Sequence, residues 1–216
     1  EAYFDDVAST HPHAKAIEYV EREGIVSGYE DQTFRPDAPI NRVELLKILV
    51  EAQPSPNDNC GVSATYTDTD DTAWYQGYLE AAACRGIATG YQDHSFQPSN
   101  PVLAVEAFKM ITKTFGYALG QVGGEWYQPY LEVLASKRAI PWTIEGPGQA
   151  LTRGQVAEMI YRLESDEPIS QGSHTAETLL GESLTTVTET YGNRVSITDD
   201  GVYRYIQSNG LPDHVT

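Results

Sequence analysis

Ile40-Asn41-Arg42-Val43-Glu44 is where the architecture of this chain first shows itself. The stretch follows a loop, Gly28-Tyr29-Glu30-Asp31-Gln32-Thr33-Phe34-Arg35-Pro36, and opens the apolar run Leu45-Leu46-Lys47-Ile48-Leu49-Val50. Asn41 is a good N-cap residue, and Glu44 stands three positions on, where its carboxylate reaches back to the cap's own N–H, so the pair makes a capping box. Arg42 falls in the first turn. Unpaired N–H groups and the positive end of the helix dipole favour an anion there, and a guanidinium adds a two-pronged donor for a carboxylate or phosphate. Taken singly, the motif also reads as a capped surface helix with a solvated arginine.

The stretch recurs. Gly90-Tyr91-Gln92-Asp93-His94-Ser95-Phe96-Gln97-Pro98 repeats the first loop at an offset of 62, which holds without a gap from Phe4 and Tyr66 to Glu44 and Glu106. Asp6 then aligns with Asp68, Ile17 with Leu79, Gly24 with Gly86, Ile25 with Ile87 and Pro39 with Pro101, all turn or core positions. A fainter third copy aligns Trp126-Tyr127 with Trp74-Tyr75, Tyr130-Leu131 with Tyr78-Leu79, and Ile140 with Ile87. In it Leu151-Thr152-Arg153-Gly154-Gln155 replaces residues 40 to 44, with Thr152 and Gln155 keeping the capping logic. A gap-free internal repeat signals an architecture of stacked units.

The three copies resemble S-layer homology repeats: an aromatic-x-Asp start, a Gly-Ile-x-x-Gly-Tyr-x-Asp-Gly-x-Phe-x-Pro middle, and an Ile-Thr-Arg-Ala-Glu box opening the last helix. The resemblance covers roughly residues 3 to 164. It implies a mainly α, three-pronged domain of pseudo-threefold form, three helix–loop–helix repeats around a central helix bundle. It also implies that an anionic, pyruvylated cell-wall polysaccharide binds in grooves between the prongs, with the box arginines Arg42 and Arg153 as principal contacts. The second box, Val102-Leu103-Ala104-Val105-Glu106, has lost its arginine and its cap, so one groove is expected to be silent or repurposed. Gly28, Asp31, Trp74 and Trp142 complete the candidate glycan contacts. Asp31 reads equally as a turn residue, Gly28 as a point of backbone freedom, and the two tryptophans as core.

Under this reading residues 1–54, 55–118 and 119–165 are the repeats, 166–183 a polar linker, and 184–216 a small β-rich segment. Strands are expected at 184–190, 194–198 and 202–207, where Thr, Val, Tyr and Ile alternate with turn residues. The end of the chain is weakly similar to secreted proteins with a Tyr-His-Tyr-His motif, which itself is absent here. So few strands leave unpaired edges and bury little, so the segment is expected to be part of a larger domain or to be completed by a neighbouring subunit.

Composition narrows the function further. Of 216 residues, 31 are acidic and 14 basic, a net charge of −17. That balance speaks against nucleic acid or an anionic membrane surface as partners, except where cations are locally focused. An acidic protein that binds an acidic polymer needs well-placed arginines or bridging cations; calcium is conceivable at Asp68, Asp70 and Asp71, although the full calcium-loop pattern is absent. No cofactor is required. No run reaches the length of a membrane span. Glu1-Ala2-Tyr3-Phe4 enters a repeat almost at once, as a mature N-terminus left by signal cleavage would, and as an artificial boundary at that point would equally. In the extracellular setting that the resemblance implies, Cys60 and Cys84 are expected to form a disulfide that contributes about 3 kcal/mol, with two buried free thiols as the alternative.

No nucleophile elbow, phosphate loop or zinc box is present, so an enzyme is not expected. The leading expectation is a non-catalytic module anchoring a surface protein to wall glycan. Its rival is a self-assembling subunit of a surface layer or filament, a homo-oligomer with the β segment making subunit contacts. Under the first, Arg42→Ala should weaken wall binding more than tenfold and leave the fold intact.

Overall fold

The computed structural model describes residues 4–120, 125–169 and 171–180, and the backbone of three short strands. Seven helices lie in the described part: α1 (Ala14–Arg22), α2 (Arg42–Ala52), α3 (Gln76–Arg85), α4 (Ala104–Thr114), α5 (Gln128–Ser136), α6 (Arg153–Glu164) and α7 (Ala176–Leu180). No helix among the described residues is long and apolar enough to cross a membrane.

The centre of the molecule is a ring of backbone hydrogen bonds. The Ile40 N–H donates to Leu151 at 2.9 Å, Leu151 to Val102 at 2.9 Å, and Val102 to Ile40 at 3.0 Å. These residues open the three boxes, one per repeat, and all are fully buried. Each box helix then starts against the loop of the next repeat. The Arg42 and Val43 amides donate to Asn100 and Pro98, those of Ala104 and Val105 to Gln149 and Pro147, and those of Arg153 and Gly154 to Ala38 and Pro36. First-turn amides have no partner inside their own helix, so this arrangement satisfies them while joining repeats. It also corrects the expectation of an open anion site at the helix starts, because carbonyl oxygens already fill it.

Helix packing follows the same cyclic order. α2 packs on α3, α4 on α5, and α6 returns to α1, so each pair takes one helix from each of two successive repeats. The loops between are built alike. Asp6 accepts from the Phe34 and Arg35 amides at 2.8 and 2.7 Å, and Asp68 from those of Phe96 and Gln97 at 2.7 and 2.8 Å. Phe34 and Phe96 are thereby pressed into the core beside Phe4 and Tyr66, with ring centroids 5.4 and 5.1 Å apart. Burying each phenylalanine contributes roughly 1.5–3 kcal/mol.

Both predicted capping boxes form: Asn41 Oδ1 accepts from the Glu44 amide at 2.9 Å and Thr152 Oγ1 from Gln155 at 3.2 Å, with each N3 side chain reaching back. In the second box the Glu106 arm survives, accepting from the Leu103 amide at 3.0 Å, while leucine has no acceptor to return. In the third repeat the structure shifts the register by one residue. Ala139, rather than Ile140, corresponds to Ile87, since each N–H bonds the carbonyl five residues back, Leu134 and Ala82.

The Cys60–Cys84 disulfide is formed, tying the segment after the 3-10 turn Pro56–Asp58 to α3. The expected linker is in part folded. Residues 171–174 lie along the third loop, with a Pro141–Ser173 bridge, and α7 packs on α5 with Leu179 fully buried. Farther on, β1 (Val195–Ile197), β2 (Tyr203–Ile206) and β3 (Pro212–His214) pair antiparallel in that order, Val195 opposite Tyr205 and Arg204 opposite His214. β1 and β2 fall inside expected strands, β3 was not foreseen, and the expected strand at 184–190 lies outside the described residues.

Candidate functional site

Each arginine of a box leaves its own helix and enters the loop of the next repeat. Arg153 Nε donates to the Phe34 carbonyl at 2.9 Å, and its guanidinium stacks 4.7 Å from the Tyr29 ring and 4.9 Å from Phe34. Arg42 does the same one repeat on. It donates to the Phe96 carbonyl at 2.9 Å and lies 4.9 and 4.8 Å from the rings of Tyr91 and Phe96. Both side chains are more than nine-tenths buried. They are structural pins as well as charges.

A groove of about 190 Å³ opens beside Arg153. Residues 25–28 line it together with Tyr29, Glu44, Lys47, Ile48 and Trp74. The Tyr29 hydroxyl donates to Glu44 at 3.2 Å, and burial raises its pKa, which keeps the phenol neutral. Trp74 stands 59% exposed, far more open than a core residue, and Lys47 Nζ lies 6.0 Å from its ring. Arginine and lysine outnumber the one glutamate, so this spot is cationic on an acidic protein, where an anion gains from partial desolvation. The tryptophan offers an apolar face of the kind sugar rings stack on.

A second, tighter cavity of about 20 Å³ repeats the design around Arg42. Its Ile87, Ala88, Thr89, Glu106, Lys109 and Met110 stand 62 positions after Ile25, Val26, Ser27, Glu44, Lys47 and Ile48. Trp126 takes the place of Trp74, with Lys109 Nζ 5.6 Å from its ring. Glu106 sits 3.5 Å from Arg42 and 3.4 Å from the Tyr91 hydroxyl. Burial, with Lys113 and Arg42 adding to it, brings the Lys109 pKa down to about 8.

The third position inverts this chemistry. Ala104 replaces the arginine, Gln155 the glutamate and Glu158 the lysine. Glu158 is occupied: Arg162 Nε donates to it at 2.7 Å and buried His13 lies 3.5 Å away. Burial opposes its charge, but the bonds from His13 and Arg162 outweigh it and hold the carboxyl below its usual range.

Of the residues picked from sequence, the structure brings Gly28, Glu44, Trp74 and Arg153 to one groove and puts Arg42 in its equivalent. Gly28 is required there by a φ of +69° and by the Phe4 ring, into which a Cβ would run. Asp31 and Trp142 do not line either groove. Asp31 accepts from Thr33 and Arg35 and is a turn residue; Trp142, 55% exposed, donates to Gln171 beside the third loop. Asp70 likewise bonds Thr72 at the turn before α3. Among the described residues no group of three or more His, Cys, Asp or Glu side chains gathers as a metal site. Sequence reasoning missed Lys47 and Lys109, although both sit three residues after the box glutamate at the same 62-residue offset.

The S-layer homology domain profile matches residues 3–46 and 65–103, the first two repeats. Over 177 residues the chain is 30% identical to a middle cell wall protein of Brevibacillus brevis, covering 80% of this chain and 17% of that protein. A surface layer protein of Brevibacillus choshinensis is 28% identical over 177 residues, again 80% of this chain and 16% of its own length. A cellulosome-anchoring protein of Acetivibrio thermocellus is 29% identical over 114 residues, 51% of this chain and 25% of that protein. The chain therefore spans only about a sixth of the first two relatives.

Proposed function

Two segments of this chain, residues 3–46 and 65–103, belong to the S-layer homology family, and from that premise we propose that it is a non-catalytic anchor that binds an anionic, pyruvylated cell-wall polysaccharide in two grooves. Its setting is the bacterial cell surface, as for the wall and surface-layer proteins it is similar to. The observation that carries the reading is the duplicated design: an arginine from the preceding repeat and a lysine on the box helix line each cavity, and a tryptophan from the following repeat lies beside each lysine. In each groove the arginine and lysine receive a ligand carboxylate and the indole receives the face of a sugar ring. The third position lacks the arginine and the lysine, and its Glu158 is already paired with Arg162, so it offers the same ligand neither contact.

The test is retention on purified cell walls. Lys47→Ala removes a groove cation without touching a buried backbone bond, so the double variant with Lys109→Ala should lose about tenfold in retention, the worth of one charge-assisted contact. Full retention of that double variant on walls overturns the reading, as does equal binding to walls stripped of their acidic groups.

A second reading, a self-assembling subunit of a surface layer, is favoured by one feature. In the described β1–β2–β3 sheet, β1 and β3 each pair on one side only, which leaves edges for strand addition by a neighbour. Ordered arrays of concentrated protein in the electron microscope, lost on removal of residues 184–216, would be its signature.

A further inference from the structure

The ring of repeats is covalently continuous at two of its three junctions and closed only by packing, hydrogen bonds and ion pairs at the third, where α6 returns to α1. That seam carries unusual chemistry. Arg162, fully buried, donates through Nη1 and Nη2 to the Gly172 carbonyl at 3.2 and 3.3 Å, and through Nη1 to Arg138 at 3.2 Å, while Nε holds Glu158. His13, at the start of α1, meets Glu158 on one side and Thr143 Oγ1, at 3.2 Å, on the other.

Residues 171–174 run across this cluster. The Trp142 amide donates to Gly172 at 3.3 Å, the His174 amide donates to Ile140 at 2.9 Å, and the Gln171 side chain bonds both the Pro12 carbonyl and the Trp142 indole. One short segment thus touches the first repeat at Pro12 and the third repeat at residues 138–142. Those third-loop residues correspond to residues 25–28 and 87–89, which line the two arginine cavities, so by the repeat the segment lies where a ligand would lie in the others.

We propose that residues 171–174 are a clasp on the seam between the third and first repeats, filling the vacant third groove and setting how firmly Arg153 is held in the first. Arg153 reaches its groove across this seam, whereas Arg42 reaches its own across a junction the chain itself connects. Opening the clasp loosens the Arg153 groove and spares the Arg42 groove. The consequence for glycan rests on the anchoring function proposed above; the clasp itself does not.

Amide hydrogen exchange on the full chain tests the clasp without any ligand. His174→Pro removes the donor to Ile140, and Gln171→Ala removes the link to Pro12 while leaving the backbone untouched. Each should speed exchange of the Arg153 and Gly154 amides, about tenfold for His174→Pro and about threefold for the milder Gln171→Ala, with the Arg42 and Val43 amides unchanged. His174→Ala keeps the backbone bond and loses the ring contact to the Trp142 carbonyl at 3.3 Å, so its acceleration should stay well below that of His174→Pro. Equal acceleration at both junctions means general destabilisation and overturns the clasp, as does no acceleration in Gln171→Ala, which retains the fold whatever becomes of the proline variant. Titration with a pyruvate-ketal hexose glycoside adds the functional arm. Weaker binding at the first groove alone supports the coupling to Arg153, and unchanged binding in variants whose seam exchanges faster refutes that coupling.

Discussion

Replacing Arg153 by alanine separates holding the fold, which its buried contacts perform, from holding a ligand, which is the role proposed for it above. The substitution deletes a charge-assisted bond to the Phe34 carbonyl at 2.9 Å and leaves that buried acceptor without its donor. Such a loss is worth about 1.5–3 kcal/mol. It also removes a cation from between the Tyr29 and Phe34 rings, 4.7 and 4.9 Å away, at about 0.5–1 kcal/mol each. Glu44, 4.0 Å distant, keeps its capping bonds and partial exposure, so it relaxes toward water at little cost. The relief from no longer burying a guanidinium offsets part of the sum, and the net is about 3 kcal/mol. With a urea slope of about 2 kcal/mol per molar, the unfolding midpoint should fall by about 1.5 M, read by far-ultraviolet circular dichroism. Lys47→Ala, at the rim of the same groove, should move it by less than about 0.3 M. A midpoint for Arg153→Ala within that smaller margin would refute the pinning role. The same arithmetic corrects the expectation that Arg42→Ala leaves the fold intact, since Arg42 makes the equivalent bond to Phe96.

Three further outcomes follow from the geometry. Lys109, with its pKa near 8 against 10.5 for the free side chain, gives up its proton in the folded state first. Unfolding therefore takes up a proton in that interval, and its contribution to stability rises with pH from about 8 to 10.5. The anion binding proposed for the second groove should run the other way, so affinity for the ketal glycoside measured by calorimetry is expected to fall several-fold between pH 7 and 9 and to become pH-independent in Lys109→Arg. Reducing Cys60–Cys84 should cost about 3 kcal/mol, seen as an earlier urea midpoint in the presence of reductant. Gly28→Ala, with positive φ and the Phe4 ring in the way, should cost more than about 2 kcal/mol, measured in the same melts.

Much of this architecture was legible because it is written twice. The 62-residue offset located the loops, the box helices and the aspartates that later proved to hold Phe34 and Phe96, and the capping boxes followed from spacing alone. The destination of the arginines was not legible. A box at a helix start looks open to an anion, and only the closed ring shows that carbonyls of the neighbouring repeat fill it. The lysines escaped for a related reason: a lone charge in an apolar helical run reads as its solvated face, until a tryptophan from the next repeat turns that face into a wall. Asp31 and Trp142 went astray because turn aspartates and exposed indoles look alike in sequence whether or not a groove lies beside them. The stretch after residue 165 looked like a linker because a polar composition does not reveal that Gly172 and His174 bond the backbone of the third loop.

The triangle formed by Ile40, Val102 and Leu151 makes the three repeats indivisible. A chain stopped after the second repeat would strand the Ile40 donor and the Val102 acceptor on the axis, and would leave α1 with no helix to lean on. A degenerate third unit therefore keeps its worth as a keystone although its own groove has lost the arginine and the lysine, and a substitution that reaches its place on the axis should be felt in all three repeats.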